Sequence, residues 1–223
     1  MQRSNVIEKV GIDSIFHVAI SSIMIEIYKF DSFSSEYDTI RTIMGHLSLL
    51  IGCMFAQKTT ELLRRVRRYQ SIGYKVLVIN YIGDTRYGKE CIASHDKEVE
   101  KAICVSTLAE VNSMVCSQVF QVVVIDEGQF FPDLFQYVTM WADTLPVHIV
   151  IAGLDGTSER KPFGDMLRLI PHAEEVERLT AFCSVCRDGT IATYSQYKGA
   201  TKEEVMIGGT EIYRPVCRKH YLE

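Results

Sequence analysis

The stretch that decides the fold is "GCMFAQKTTELLRRVRRYQ", residues 52–70. Gly52, Lys58 and Thr59 stand at the spacing of a phosphate-binding loop, G-x-x-x-x-G-K-[ST]. The second glycine of that pattern is replaced by Gln57. Upstream, "HLSLLI" is a short apolar run ending at Gly52, suited to a buried parallel strand. Downstream, Lys58 to Ser71 has helical composition, with Leu62, Leu63 and Val66 on one side and Arg64, Arg65, Arg67 and Arg68 mostly on the other. In a strand–loop–helix unit of this kind, successive backbone N–H groups and the helix N-terminus face an anion. Lys58 would then reach the terminal phosphates and Thr59 would help to hold Mg²⁺. A glutamine held in a glycine conformation costs about 1–3 kcal/mol. Two readings stand at this point: a phosphate loop, or an ordinary strand–turn–helix corner with a helix-starting lysine. The arginine run reads most simply as a solvated helix face.

The rest of the chain extends the pattern. Segments 75–81, 121–126 and 147–153 read as buried strands, and 106–116 and 132–144 as helices, with Pro132 suited to a first turn. This alternation predicts an α/β fold, a parallel sheet covered by helices on both faces. It spans residues 45–179; residues 1–44 form an N-terminal extension without a usable motif, and a small module occupies 180–223.

Composition limits the function classes. With 223 residues, 47% hydrophobic and 23% charged, the chain can bury a real core. A net charge of -4 argues against nucleic acid or an anionic membrane as partner. The apolar run 14–25 is too short to span a bilayer, and Glu8 and Asp13 sit in the wrong place for a signal peptide. Seven cysteines, an odd number, favour reduced thiols and an intracellular compartment.

Two further motifs carry chemistry. "VVVIDEGQFF" puts Asp126 and Glu127 where a buried strand reaches the C-terminal edge of the sheet. An apolar strand ending in Asp is half of many Mg²⁺–nucleotide sites, and Glu127 is suited to take a proton from a hydroxyl nucleophile. The competing reading is a pair of carboxylates capping the next helix. "CSVC" (183–186) and "CRKH" (217–220) are two metal knuckles. Cys183, Cys186, Cys217 and His220 make a closed tetrahedral set for a structural Zn²⁺. The metal would pin both ends of the 187–216 loop, whose "MIGGTEIY" offers glycines for close approach and Tyr213 for stacking. Cys53, Cys91, Cys104 and Cys116 read as packing or incidental thiols.

Taken together, "TELLRRVRRYQ", "DTRYG", "SHD", "DEGQFFPDL", "AGLDGTSERKPFG", "IGGTEIY" and "VCRKHY" resemble, in order and spacing, the zinc-containing thymidine kinases of cells and poxviruses. The resemblance covers about residues 45–223. It implies transfer of the γ-phosphate of ATP to the 5′-hydroxyl of thymidine, with Mg²⁺. It implies that Gly52, Cys53, Met54, Phe55, Ala56, Gln57, Lys58 and Thr59 hold the phosphates, with Asp84, Thr85, Arg86, Asp126 and Gln129 near phosphates and metal. Thr59 and Asp126 would serve Mg²⁺, and Glu127 would be the general base. Met54, Phe130, Leu154 and Phe163 would line the thymine pocket, with Ser158 beside them. A lasso containing Met206, Ile207, Gly208 and Tyr213 would close over thymidine. Family members are usually cytosolic dimers or tetramers. The chain departs from the family at Gln57, at Cys53 where proline is usual, at Ser158 where an aromatic is usual, and at Tyr197 where a basic residue is usual. Those departures fall at ligand positions, so the resemblance fits either an active kinase or a catalytically impaired relative acting as a nucleoside-binding or subunit-interaction module.

Overall fold

The computed structural model describes residues 44–84, 91–93, 99–199 and 212–223. The N-terminal extension up to 43, Thr85, Arg86, Met206, Ile207 and Gly208 lie outside the described residues.

The predicted strand before the loop is β1 (His46–Gly52), and it sits inside a six-stranded parallel sheet. The other members are β2 (Val76–Tyr81), β5 (Ile103–Val105), β6 (Val122–Ile125), β7 (His148–Leu154) and β8 (Glu175–Leu179), in the spatial order β5-β2-β6-β7-β1-β8. A short antiparallel hairpin, β3 (Cys91–Ala93) with β4 (Val99–Lys101), precedes β5. Side chains alternate across the sheet. Leu47, Leu49, Ile51, Leu77, Ile79, Val123, Ile125, Ile149 and Ile151 enter one core; Leu50, Val78, Val122, Val124, Val150 and Ala152 enter the other.

Each core has its helical cover, as expected. Helix α1 (Lys58–Gln70) buries Leu62, Leu63 and Val66, three residues on one helical stripe. Glu61 in its first turn and Arg67 and Arg68 in its last complement the helix dipole. The opposite face carries α2 (Asn112–Cys116) and α3 (Leu134–Thr144), which buries Leu134, Val138 and Trp141. Trp141 satisfies its indole N–H on Asn112 Oδ1 at 2.8 Å. Asp133, just before α3, accepts the Leu108 and Ala109 N–H groups, each at 3.0 Å, and so ties the two layers of that face.

Two expectations change. Segment 106–116 is not one helix: Leu108–Val111 is a 3-10 turn and only Asn112–Cys116 is α-helical. A capping box between Thr107 and Glu110 fixes the tight start. Strand β8 has no counterpart in the sequence reading. "EVERL" carries no apolar run because β8 lies at the sheet edge and is half exposed. Its carboxylates instead meet α1. Arg65, with its side chain only 13% exposed, contacts Glu61 at 3.0 Å, Glu175 at 2.8 Å and Glu177 at 2.9 Å. The arginines therefore do not all form a solvated face; one of them bolts α1 to β8.

Beyond β8 the chain forms two antiparallel hairpins, β9 (Ala181–Phe182) with β10 (Ile191–Ala192) and β11 (Tyr194–Tyr197) with β12 (Tyr213–Val216), then a short α4 (Arg218–Leu222). Among the described residues no helix is long and apolar enough to cross a membrane.

The arginine network yields a first prediction. Hydrogen bonding to Arg65 holds the Glu175 carboxyl below its ordinary range. A carboxyl with a lowered folded value contributes stability above its unfolded value of about 4.3 and loses it as pH falls through the folded one. Arg65→Met is expected to cost about 1–2 kcal/mol at pH 7 in urea denaturation, a figure discounted for the exposure of its partners. The gap to the wild-type protein should narrow as pH falls below about 4.3.

Candidate active site and metal centre

The loop that leaves β1 begins with a close approach. Gly52 has φ +146°, and a Cβ there would lie 2.2 Å from the Leu179 carbonyl oxygen of β8. Its paired position in the sheet is Leu179 itself. The first glycine of the motif is thus required by the sheet as much as by any ligand. Phe55 and Gln57 both take left-handed conformations, at φ 64° and 59°. Gln57 is the residue that precedes α1, with ψ 30°. The chain therefore adopts at Gln57 the dihedrals that the missing glycine would have supplied, at a cost of about 1–3 kcal/mol.

Lys58 Nζ reaches back to the Cys53 carbonyl oxygen at 2.8 Å and closes the loop across its mouth. Burial pulls the Lys58 ammonium below its ordinary value, while Glu127, Cys53, Asp126 and Asp155 push it back up. The lysine thus sits partly withdrawn from water, with Glu127, Asp126 and Asp155 close enough to act on its charge.

The acidic strand end lies beside this loop. Asp126 is buried, 4% exposed, and accepts the Thr59 hydroxyl at 2.9 Å. It also accepts the Glu127 N–H at 3.0 Å, while its own N–H donates to Ile79 O at 2.9 Å. Glu127 stands in a left-handed conformation, φ 55° and ψ 39°, at the head of the 3-10 turn Gly128–Phe130. Gln129 donates to Glu127 Oε2 at 2.6 Å and accepts the Leu154 N–H at 2.9 Å. The capping interpretation of the two carboxylates is not what the structure has: Asp133, not Asp126 or Glu127, precedes α3. Asp84 is buried at the turn after β2, with its N–H on Tyr81 O at 3.0 Å.

The expected apolar pocket residues come together in part. Phe130 meets Phe163 edge-on at 5.4 Å. Tyr81, which the sequence offered only as a strand end, stacks on Phe130 at 5.2 Å and meets Phe131 edge-on at 5.5 Å. Leu154 ends β7 next to Gln129. Ser158 is tied from the other side: its carbonyl accepts the Tyr221 hydroxyl at 2.7 Å. Tyr213 lies in β12 against Tyr197, with ring centres 5.6 Å apart.

The C-terminal module holds the loop from outside. Cys53 and Ala56 share a buried cluster with Ala181, Cys183, Ala192 and Val216. Cys53 Sγ points at Ala192 O at 3.5 Å, and the Met54 N–H donates to Ser195 Oγ at 2.9 Å. Burial raises the Cys53 thiol above its ordinary value, consistent with a packing thiol. The resemblance pairs Ser195 with Tyr194 as the family's Tyr–Ser/Thr pair but gives it no partner; the structure supplies one in the Met54 N–H.

The four metal candidates converge. Their ligand atoms all lie within 4.8 Å of one another. His220 Nδ1 is 3.5, 3.3 and 3.4 Å from the sulfurs of Cys183, Cys186 and Cys217, and Cys186 and Cys217 are 3.9 Å apart. A tetrahedral Zn²⁺ with Zn–S of about 2.3 Å has sulfur–sulfur edges of about 3.8 Å, so the set fits that ion. Burial raises the Cys183 thiol, but backbone N–H groups of Cys186, Cys217 and Val185 outweigh it and pull it down, while burial and the neighbouring Cys183 and Cys217 push the Cys186 thiol up: without an ion, thiols this close do not all ionise together.

With this geometry in place, the chain can be compared with known proteins. The thymidine kinase family model matches residues 45–221. The chain is 43% identical over 179 residues to the thymidine kinases of Monkeypox virus, of Vaccinia virus strain Western Reserve, and of Variola virus, covering 80% of this chain and 98% of each of those proteins. The chain belongs to the thymidine kinase family. The kinase match begins at residue 45, one residue before β1.

Two predictions follow from this geometry. Gly52→Ala is expected to destabilise the fold by more than about 3 kcal/mol, because backbone rather than a flexible side chain blocks the new methyl; a thermal melt within about 1 kcal/mol of wild type would contradict it. The purified protein should carry one Zn²⁺ per chain by atomic absorption. Cys186→Ser should lower that content and the melting temperature together.

Proposed function

We propose that the protein is an ATP-dependent thymidine kinase that uses Mg²⁺, with Glu127 as general base. What supports this reading above all is the Thr59–Asp126 hydrogen bond at 2.9 Å, which joins the phosphate-type loop to the acidic strand end beside Glu127. The 5′-oxygen of thymidine attacks the γ-phosphorus of ATP, the bond to the β-phosphate oxygen breaks, and the 5′-hydroxyl proton passes to Glu127; the products are thymidine 5′-phosphate and ADP. Residues Gly52 to Thr59 present backbone N–H groups and Lys58 to the phosphates. The all-oxygen pair Thr59 and Asp126 suits Mg²⁺, which when bound offsets charge on the phosphates. By the family resemblance, Thr85 and Arg86 would serve the phosphates together with Asp84. Phe130, Leu154, Phe163 and Met54 would enclose the base, with Ser158 at its edge; by the family resemblance, Met206, Ile207, Gly208 and Tyr213 belong to the segment that would cover it. Zinc on Cys183, Cys186, Cys217 and His220 is structural, because four protein ligands leave no open position. The reading extends to a cytoplasmic homodimer or homotetramer, in keeping with thiols that must stay reduced.

Strain at Gln57 motivates the competing reading of a catalytically impaired nucleoside-binding or subunit-interaction module. The fold accepts the required dihedrals at Gln57, which favours the active enzyme. The deciding assay supplies radiolabelled thymidine, ATP and Mg²⁺ and looks for the labelled monophosphate. ATP binding without product would favour the impaired module. Glu127→Gln is expected to lower kcat by about 10²–10⁴-fold with thymidine affinity nearly unchanged; retained turnover would remove Glu127 as the base.

A further inference from the structure

We propose that Gln129 is a positioning residue that aims the Glu127 carboxylate, and not a ligand of the phosphates. This rests on the reading of Glu127 as base. Gln129 is buried, 4% exposed, and its side chain fits between Gly153 and Met166. A Cβ on Gly153 would come 2.8 Å from Gln129 Oε1 and 2.8 Å from the Met166 sulfur. Gly164, at φ +55°, packs on the backbone of Gln129, where a Cβ would come 2.3 Å from its carbonyl oxygen. Gly153 thus leaves room for the side chain, and Gly164 for the backbone that carries it.

The orientation of the carboxamide is fixed by chemistry. The Leu154 N–H, 2.9 Å away, can only donate, so it faces Oε1. The amino group therefore faces Glu127 Oε2, at 2.6 Å. Leu154 ends a central strand, so the anchor is rigid. Glu127 itself stands in a left-handed conformation, with its N–H on Asp126 Oδ1. The backbone is set by Asp126 and the side chain by Gln129. Together they give the carboxylate one direction relative to the loop. Both ends of the Gln129 carboxamide are engaged inside the protein, an arrangement that suits an aiming group and not a ligand contact.

The test uses Gln129→Glu in the zinc-loaded full chain. A glutamate keeps an oxygen for the Leu154 N–H but sets a second carboxyl against Glu127 Oε2 in place of the amide donor; two carboxyls that close share a proton, so the variant takes the free carboxylate away from Glu127. Expected are a kcat lower by about 10- to 100-fold, KM for thymidine and for ATP within about threefold of wild type, and a lower melting temperature from the added buried carboxyl. Gln129→Met, which loses both bonds, should lower kcat similarly and the melting temperature as well. In the Glu127→Gln background, Gln129→Glu should cost no further activity, because no base remains to be aimed; a purely structural role would cost the same in both backgrounds. Unchanged kcat in Gln129→Glu overturns the proposal, and so does a tenfold rise in KM for ATP at constant kcat, which would make Gln129 a phosphate ligand. If Glu127→Gln is inactive while Gln129→Glu is fully active, only the positioning role fails. If both are active, the base assignment fails with it.

Discussion

The turn at Gly52 has no room for a side chain, and the site is organised around that restriction. Strand β1 must end there against the Leu179 carbonyl of the neighbouring edge strand. The chain then passes through two left-handed residues, Phe55 and Gln57, before α1 can start. Such a path is held only where the surroundings over-determine it. Three do so here: the sheet on one side, the Lys58–Cys53 closure within the loop, and the Ala192 and Ser195 contacts of the C-terminal module. The packing of the C-terminal module thus defines one wall of the loop.

The acidic strand end is organised by the same logic. Asp126 and Glu127 leave a buried strand at a point where carboxylates are costly unless each oxygen has a partner. Thr59, the Glu127 N–H and Gln129 provide partners. Strand, loop and 3-10 turn thus share one hydrogen-bonded unit, which is why motifs separated by 67 residues in sequence form one site. A kinase needs this arrangement because little covalent work falls to the protein and most of the rate comes from position and charge.

Much of the fold was legible because buried parallel strands write themselves as apolar runs. β1, β2, β6 and β7 each have such a run, and α1 has a clear stripe of Leu62, Leu63 and Val66. β8 was not legible, since its "EVERL" owes its place to pairing with β1 and to Arg65 and not to hydrophobicity. The convergence of Cys183, Cys186, Cys217 and His220 was legible because ligand type and spacing are themselves the signal. Tyr81 and Ser195 were not, because stacking on Phe130 and holding the Met54 amide depend on neighbours distant in the chain.

The α/β class, the loop between β1 and α1, the Asp126–Glu127 pair and the Cys₃His set can all be read off the residues in order. These are local patterns, in which residue type and spacing carry the chemistry. Only the tertiary structure decided that Gly52 answers to Leu179, that Gln57 takes left-handed dihedrals, and that Gln129 spans Glu127 and Leu154. Those facts arise from close packing between elements far apart in the chain, where steric contact and hydrogen-bond donor direction, not the identity of a residue, select the arrangement.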